Sequence, residues 1–223
     1  MIHKVGEQFK HAIKLGVPMI AILNYGVGNL GSIVNMLRKL GEDSYIASTP
    51  SELARSRKII LPGVGAFDTG MQKLESSGML TVLNKKALIE KVPILGICLG
   101  AQLMTRSSEE GELGGLAWFE ADTVKFNFSN LNKKLPLPSI GWRETHDSKR
   151  TTLLNGMSEM PRFYYVHSYY LKPDSSDIIS MTAEYGEPFA AGLSCGNLHC
   201  VQFHPEKSHK FGMQFFRNFI AMK

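Results

Sequence analysis

Short apolar runs alternate with helical patterns over the first half of the chain. The runs at residues 18–24, 58–61 and 92–97 have the length of strands and are apolar almost throughout. Residues 30–40 carry apolar side chains at helical spacing, and helices are also predicted at about 69–90 and 101–109. Because strands that are apolar on both faces are typical of parallel sheets, we expect helices on both sides of this sheet.

The last third of the chain has a different pattern. It predicts a closing amphipathic helix at about 211–222, preceded by four strands at residues 163–170, 178–182, 189–193 and 198–203. The predicted fold is therefore α/β, with a mostly parallel sheet flanked by helices and an antiparallel or mixed sheet added in the last third.

Composition excludes several classes of protein. Of 223 residues, 43% are hydrophobic and 20% charged, which excludes a disordered or collagen-like chain. No apolar run reaches the ~18 residues that span a bilayer, and the charged first residues are unlike a secretory signal, so no membrane association is expected. Three cysteines favour a reducing cytoplasm. The net charge of +5 is dispersed, so no nucleic-acid partner is expected.

Residues 1–18 lie outside the pattern of strands and helices. Val5, Phe9, Ala12 and Ile13 would share one helix face, which predicts a short packed helix. The alternative is that Met19 is the natural start and that the preceding residues are an artefact. We expect residues 19–223 to form a single domain.

A glycine-rich turn after the first predicted strand has to be compared with a dinucleotide-binding loop. Residues 26–31 read Gly-Val-Gly-Asn-Leu-Gly and match the spacing G-x-G-x-x-G. Such a site also needs a carboxylate about 20 residues later, and residues 45–50 contain none. The sequence favours a tight strand-to-helix turn, and no cofactor is expected.

A cysteine stands at the centre of a second glycine-rich turn. Cys98 lies between Gly96 and Gly100, where a predicted strand meets a predicted helix, which is the arrangement of a nucleophile elbow. The start of the helix favours a thiolate. The backbone N–H of Leu99 is expected to face the oxyanion that forms when the sulfur attacks a carbonyl. A buried structural cysteine is the alternative, and the flanking glycines disfavour it.

A base for this nucleophile is predicted near the C-terminus. His204 and Glu206 follow an apolar strand, and positions i and i+2 of an extended chain face the same side. Glu206 can therefore orient His204 as the third member of a triad. Cys195 and Cys200 lack the spacing and the partners of a metal site, so no metal is expected.

Four motifs in order resemble the class I glutamine amidotransferases of the triad type. They are Asn-Tyr-Gly at 24–26, Pro-Gly-Val-Gly-Ala-Phe at 62–67, Gly-Ile-Cys-Leu-Gly-Ala-Gln at 96–102 and Gln-Phe-His-Pro-Glu-Lys-Ser at 202–208. Within this family the chain resembles the HisH glutaminase subunits of imidazole glycerol phosphate synthase, from about residue 19 to the C-terminus. The resemblance implies the family's flavodoxin-like fold.

The resemblance also implies roles for individual residues. Cys98 would attack the side-chain amide of L-glutamine, His204 would pass the proton to the departing ammonia, and Glu206 would hold His204. Leu99 would share the oxyanion hole with a loop that reorients, formed by Gly63, Val64 and Gly65. The residues matched to glutamine binding are Gln102, Val166, His167 and Ser168, and those matched to the partner interface are Asn24, Asn29 and Tyr164.

A partner is implied because the sequence shows no site for an acceptor of ammonia. For HisH subunits this partner is a HisF-type (β/α)8-barrel cyclase, in a heterodimer that serves histidine biosynthesis. Asn24 and the segment Pro-Ser-Ile-Gly-Trp-Arg at 138–143 depart from the family pattern without touching the triad. They leave a second pathway open, in which a HisH-like paralogue supplies ammonia for amidination of a sugar in bacterial surface-polysaccharide synthesis.

Two further classes are disfavoured. A stand-alone cysteine hydrolase of related fold would not need the glutamine-binding set, and an inert binding scaffold would be expected to lose a member of the triad.

Overall fold

The computed structural model describes residues 20–129, 135–148, 151–157 and 160–222, so the predicted N-terminal helix and the start at Met19 lie outside it. The described residues form one sheet of eleven strands. The strands are β1 (Ile20–Leu23), β2 (Ser44–Ala47), β3 (Lys58–Gly63), β4 (Ile94–Cys98), β5 (Ala121–Lys125), β6 (Ser139–Asp147), β7 (Arg162–His167), β8 (Tyr169–Pro173), β9 (Ile179–Tyr185), β10 (Glu187–Cys195) and β11 (Leu198–Val201).

Helices connect the strands of the first half and close the chain. They are α1 (Leu30–Lys39), α2 (Pro50–Leu53), α3 (Phe67–Ser76), α4 (Leu80–Asn84), α5 (Leu99–Leu103) and α6 (His209–Ala221). A π-helical turn, Lys85–Ile89, continues α4, and a 3-10 turn, Pro205–Lys207, precedes α6. No helix of the described ranges combines the length and the apolar character needed to cross a bilayer.

The sheet has a parallel half and an antiparallel half. The parallel half has the order β2-β1-β3-β4-β11. β10 pairs antiparallel with β11, and β9, β6 and β7 continue the sheet with antiparallel pairing. β8 pairs with both β10 and β5 beside this half. The predicted combination of a parallel sheet and an added antiparallel region is confirmed.

The parallel strands are buried on both faces, which explains their apolar sequences. In β1, Ala21 and Leu23 belong to one core, and Ile20 and Ile22 to the other. Buried side chains of α3 and α5 cover the first core, and those of α1 and α6 cover the second. Each fully buried leucine or isoleucine contributes about 1.5–3 kcal/mol relative to its exposed state.

Two predicted helices are shorter than expected. The helix at 69–90 is interrupted because Gly78 has a φ of +70° after the end of α3, and the chain restarts as α4. The helix at 101–109 begins at Leu99 and already ends at Leu103. The predicted strand at 163–170 is divided at Ser168 into β7 and β8.

The carboxyl ends of three parallel strands meet at one edge of the sheet. β3 ends at Gly63 and β4 at Cys98, and the register places these two residues side by side. β11 runs parallel to β4 on its other side, with Val201 beside Ile97. Ligands of open α/β sheets bind at such an edge, so the candidate site lies where this fold class predicts one.

Candidate active site

Cys98 occupies a sharp turn between β4 and α5. Its φ of 54° is in the left-handed region that a side chain rarely adopts, and it directly precedes the first residue of the helix, Leu99. Gly100 allows this turn to pack, because a Cβ at that position would overlap the carbonyl oxygen of Leu61. The backbone therefore has the form of a nucleophile elbow.

His204 and Glu206 form a buried pair beside this cysteine. His204 Nδ1 donates a hydrogen bond of 2.7 Å to Glu206 Oε1, which leaves Nε2 as the ring nitrogen that can serve the sulfur. Burial lowers the pKa of His204, but Cys98 and Glu206 outweigh it and raise the pKa to about 10. The imidazole therefore holds its proton at neutral pH.

The turn that carries His204 is fixed on three sides. The N–H of His204 donates to the carbonyl of Tyr164 (2.9 Å), and the hydroxyl of Ser208 donates to the carbonyl of His204 (2.6 Å). The N–H of Tyr164 donates to the same hydroxyl (3.0 Å). Gly212 of α6 approaches so closely that a Cβ there would overlap the carbonyl oxygen of Pro205. The backbone of this turn is therefore held by β7 and by α6.

A cavity of about 250 Å³ opens at Cys98 and His204. It brings together most of the residues expected to bind glutamine or to form the oxyanion hole, namely Val64, Gly65, Leu99, Gln102, Val166, His167 and Ser168. Gly63 neighbours Cys98 in the sheet but does not line the cavity.

The two glycines of the expected oxyanion loop have different surroundings. A Cβ at Gly63 would lie 2.8 Å from the amide nitrogen of Gly100, the Cβ of Leu99 and the hydroxyl of Tyr25. Gly65 has a φ of +108° and open space around its Cβ position, and Val64 between them is 44% exposed. Rotation of this loop is therefore easier at Gly65 than at Gly63.

The side chain of His167 packs rather than facing a ligand. It lies among the rings of Phe126, Tyr165 and Phe189, and its Nδ1 donates to the carbonyl of Tyr169 (2.8 Å). Burial lowers the pKa of His167 to about 4, although the bond to Tyr169 opposes this shift. The imidazole is therefore neutral, and the segment 166–168 to which it belongs lines the cavity.

The three residues expected at a partner interface lie in two places. Asn24 and Asn29 are in the turn between β1 and α1, where Asn24 donates to Ser48 Oγ (3.0 Å) and Asn29 caps the helix. Tyr164 lies on β7, with its ring 6.1 Å from that of Trp142 and 5.6 Å from Lys207 Nζ.

Several residues at the site had no predicted role, and three of them place a polar side-chain group there. The carboxylate of Glu110 lines the cavity, the amide of Gln202 lies 3.8 Å from the Cys98 sulfur, and the hydroxyl of Tyr25 donates to the carbonyl of Pro62 (2.7 Å). Burial and the neighbouring Cys98 raise the pKa of Tyr25. The position of Gln202, two residues before His204 and directly after an apolar strand, is the one signal in the sequence that could have identified it. Nothing local distinguishes Glu110 from the adjacent Glu109.

The described residues contain no cluster of three or more histidine, cysteine or acidic side chains that could hold a metal ion.

Comparison with protein families gives a match over nearly the whole described chain. The model of the family "Glutamine amidotransferase class-I" matches residues 21–222. The chain belongs to this family.

Similar members of the family have been named in other organisms. A protein of Methanococcus maripaludis named imidazole glycerol phosphate synthase subunit HisH 2 is 50% identical over 91% of this chain and 98% of its own length. A protein of the same name from Pseudomonas aeruginosa is 42% identical over 92% of this chain and its full length.

Solved structures share the family fold. A glutamine amidotransferase from Thermotoga maritima has a TM-score of 0.60 at 17% identity, covering 90% of this chain and 81% of its own. PurLQS from the same organism has a TM-score of 0.66 at 18% identity, covering 91% and 97%.

Proposed function

We propose that this class I glutamine amidotransferase hydrolyses glutamine to glutamate and ammonia with the triad Cys98, His204 and Glu206. One observation carries the proposal: Cys98 and His204 open into the same cavity as the side chain of Gln102 and the segment 166–168. A strained cysteine, a buried His–Glu pair and a pocket for a small substrate are the parts that nucleophilic amide hydrolysis needs.

The chemistry follows from the positions of these groups. The Cys98 sulfur attacks the side-chain amide carbon of glutamine, and the resulting oxyanion faces the N–H of Leu99. The protonated His204 gives its proton to the amide nitrogen as the C–N bond breaks, which releases ammonia and leaves a thioester on Cys98. Water then attacks the thioester while His204 takes up one of its protons, and glutamate is released as the sulfur is freed.

Glu110 is the group in the cavity best suited to hold the α-ammonium of glutamine. Its Oε2 accepts a hydrogen bond from the N–H of Phe67 (2.8 Å), which fixes the carboxylate beside the cavity. Gln102 and the backbone of 166–168 would hold the rest of the substrate. The loop around Gly65 would supply a second oxyanion donor after a peptide rotation, and the freedom of Gly65 supports this role.

The ammonia would pass to a second protein. Relatives at 50% and 42% identity are named HisH subunits of imidazole glycerol phosphate synthase. This supports the proposal that the chain is the glutaminase subunit of that enzyme, paired with a HisF-type (β/α)8-barrel cyclase in histidine biosynthesis in the cytoplasm.

An exposed apolar surface beside the site supports a docked partner. Ile140 and Trp142 of β6 are 58% and 46% exposed, and the Trp142 ring stacks on His209 at 5.5 Å. This surface adjoins Tyr164, which is bridged to His204. Exposed aromatic side chains next to polar ones are typical of protein interfaces.

Glutamate release measures the function directly. We expect slow release from glutamine by the chain alone and strong stimulation by the HisF-type cyclase of the same organism with its nucleotide substrate. Cys98→Ala should abolish release while retaining binding to the cyclase. Persisting release in that variant would contradict the mechanism, and absent stimulation of an active chain would favour the sugar-amidating pathway over histidine biosynthesis.

A further inference from the structure

Gln202 is a completely buried polar side chain for which glutamine hydrolysis, as derived above, has no use. It follows β11 directly, and its backbone N–H donates to the carbonyl of Ala191 (2.9 Å). Its side chain makes two contacts, one with the sulfur of Cys98 and one with the side chain of Gln102. Burial of a polar side chain lowers the free energy of unfolding unless the side chain forms hydrogen bonds inside the protein.

The direction of these hydrogen bonds is fixed by a backbone carbonyl. Gln102 Nε2 donates to the carbonyl of Tyr169 (3.4 Å) and to Gln202 Oε1 (3.1 Å). A carbonyl can only accept, so the amide nitrogen of Gln102 must face Tyr169, and Gln202 must present its oxygen to Gln102. The nitrogen of Gln202 is then left for the sulfur of Cys98, at 3.8 Å.

We propose that Gln202 is a positioning residue that donates a hydrogen bond to the Cys98 thiolate and connects it to Gln102 in the wall of the substrate cavity. The side chains of Gln202 and His204 come from the segment that follows β11, and both reach Cys98. His204 exchanges a proton with the substrate, whereas the amide of Gln202 has no proton to lose and stays a donor through the reaction. The proposal rests on Cys98 being the nucleophile.

Alkylation of Cys98 by iodoacetamide as a function of pH tests this role. Gln202→Met keeps the length of the side chain but removes the donor, so we expect the midpoint of the Cys98 profile to rise by about one pH unit, as the loss of one hydrogen bond to a charged group predicts. Because Gln102 also loses its acceptor, the KM for glutamine should rise several-fold. Gln202→Asn, which is too short to reach the sulfur, should shift the midpoint in the same direction and serves if the methionine variant does not fold.

The midpoint of the alkylation profile distinguishes a hydrogen bond from Gln202 to Cys98 from a merely structural role of Gln202. The exposed Cys195 of the same molecule is the internal reference, and its profile should not change. The titratable groups acting on the sulfur are His204 and Tyr25, and those in the cavity wall are Glu110, His167 and Tyr169. All of them are unchanged in both variants. A slower reaction with an unshifted midpoint would overturn the proposal. If alkylation of Cys98 in the unaltered chain leaves glutamine hydrolysis intact, the proposed function fails instead.

Discussion

Glu110 connects the substrate cavity to the first turn of α3. The helix has no capping side chain of its own, and the carboxylate of Glu110 accepts the bond from its first N–H group instead. In return Asp68 of α3 accepts bonds from the N–H groups of Glu112 and Leu113 (3.0 and 3.1 Å). The carboxylate at the cavity is therefore held by a reciprocal contact between a loop and a helix.

We expect Glu110→Gln to weaken substrate binding while sparing the fold. The amide oxygen still accepts from Phe67, but the negative charge facing the α-ammonium is lost. The KM for glutamine should rise a few-fold, with a smaller change in kcat, because a charge-assisted hydrogen bond to the α-ammonium becomes a weaker neutral one.

Steady-state kinetics of Glu109→Gln provide the matched control. Glu109 also accepts a backbone N–H, that of Lys125 (2.7 Å), but does not line the glutamine cavity. If both variants change the KM equally, the assignment of Glu110 to the substrate is wrong.

At the scale of elements, the closing helix supports the turn of His204, the proposed catalytic base. α6 lies against the His-Pro-Glu turn, and Gly212 is the point of closest approach. A side chain there would push the helix away from Pro205 or displace the turn, and with it the imidazole.

Gly212→Ala should lower both stability and activity. Overpacking of this kind costs about 1–3 kcal/mol in the free energy of unfolding. Displacement of His204 from Cys98 should also reduce glutamine hydrolysis about tenfold or more, because proton transfer depends on distance. Thermal unfolding and glutamate release measure the two effects.

Gly31→Ala is the control, and it should change stability in the opposite direction. Gly31 lies in α1 with no atom near its Cβ position, so alanine should stabilise the helix by about 0.5–1 kcal/mol and leave hydrolysis unchanged. Equal behaviour of the two variants would show that the contact between α6 and Pro205 does not support the site.

Elements that bury their apolar residues and expose their polar ones could be predicted from the sequence. Elements that bury polar residues and expose apolar ones could not. β6 places Ser139 and Thr145 in buried positions and exposes Ile140 and Trp142, so its pattern of hydrophobicity does not indicate a strand. The break in the helix at 69–90 depends on the left-handed conformation of Gly78, which isolated glycines in helical patterns do not reliably signal.

The candidate site was predictable where its geometry is local. The turn at Cys98 follows from its flanking glycines. The His204–Glu206 bond forms as predicted, but the predicted extended backbone is wrong, because Glu206 lies in the 3-10 turn Pro205–Lys207. The position of Glu110 and the contact of Gln202 with Gln102 depend on how distant segments pack, and no local pattern encodes such packing.

At the scale of the whole molecule, the exposed surface around Trp142 is separate from the cavity but adjoins the strand beside His204. A single buried tryptophan at the centre of an interface contributes about 2 kcal/mol or more to binding. We expect Trp142→Ala to weaken association with the HisF-type cyclase about thirtyfold, while release of glutamate by the chain alone stays unchanged.

Titration of the cyclase, monitored by calorimetry, measures this affinity. Ile89→Ala is a suitable control, because Ile89 is 74% exposed in the π-helical turn that continues α4, and none of the expected interface residues belongs to that turn. Equal affinities of the two variants would place the partner on another surface.

The strand that brings the catalytic base to Cys98 also joins the two halves of the sheet. β11 pairs with β4 on one side and with β10 on the other, although it is synthesised about a hundred residues after β4. Until it leaves the ribosome, the edge of β4 has no partner, and an open strand edge can pair with other chains. The same delay leaves Cys98 without His204, so we expect that a nascent chain does not hydrolyse glutamine until β11 has joined the sheet.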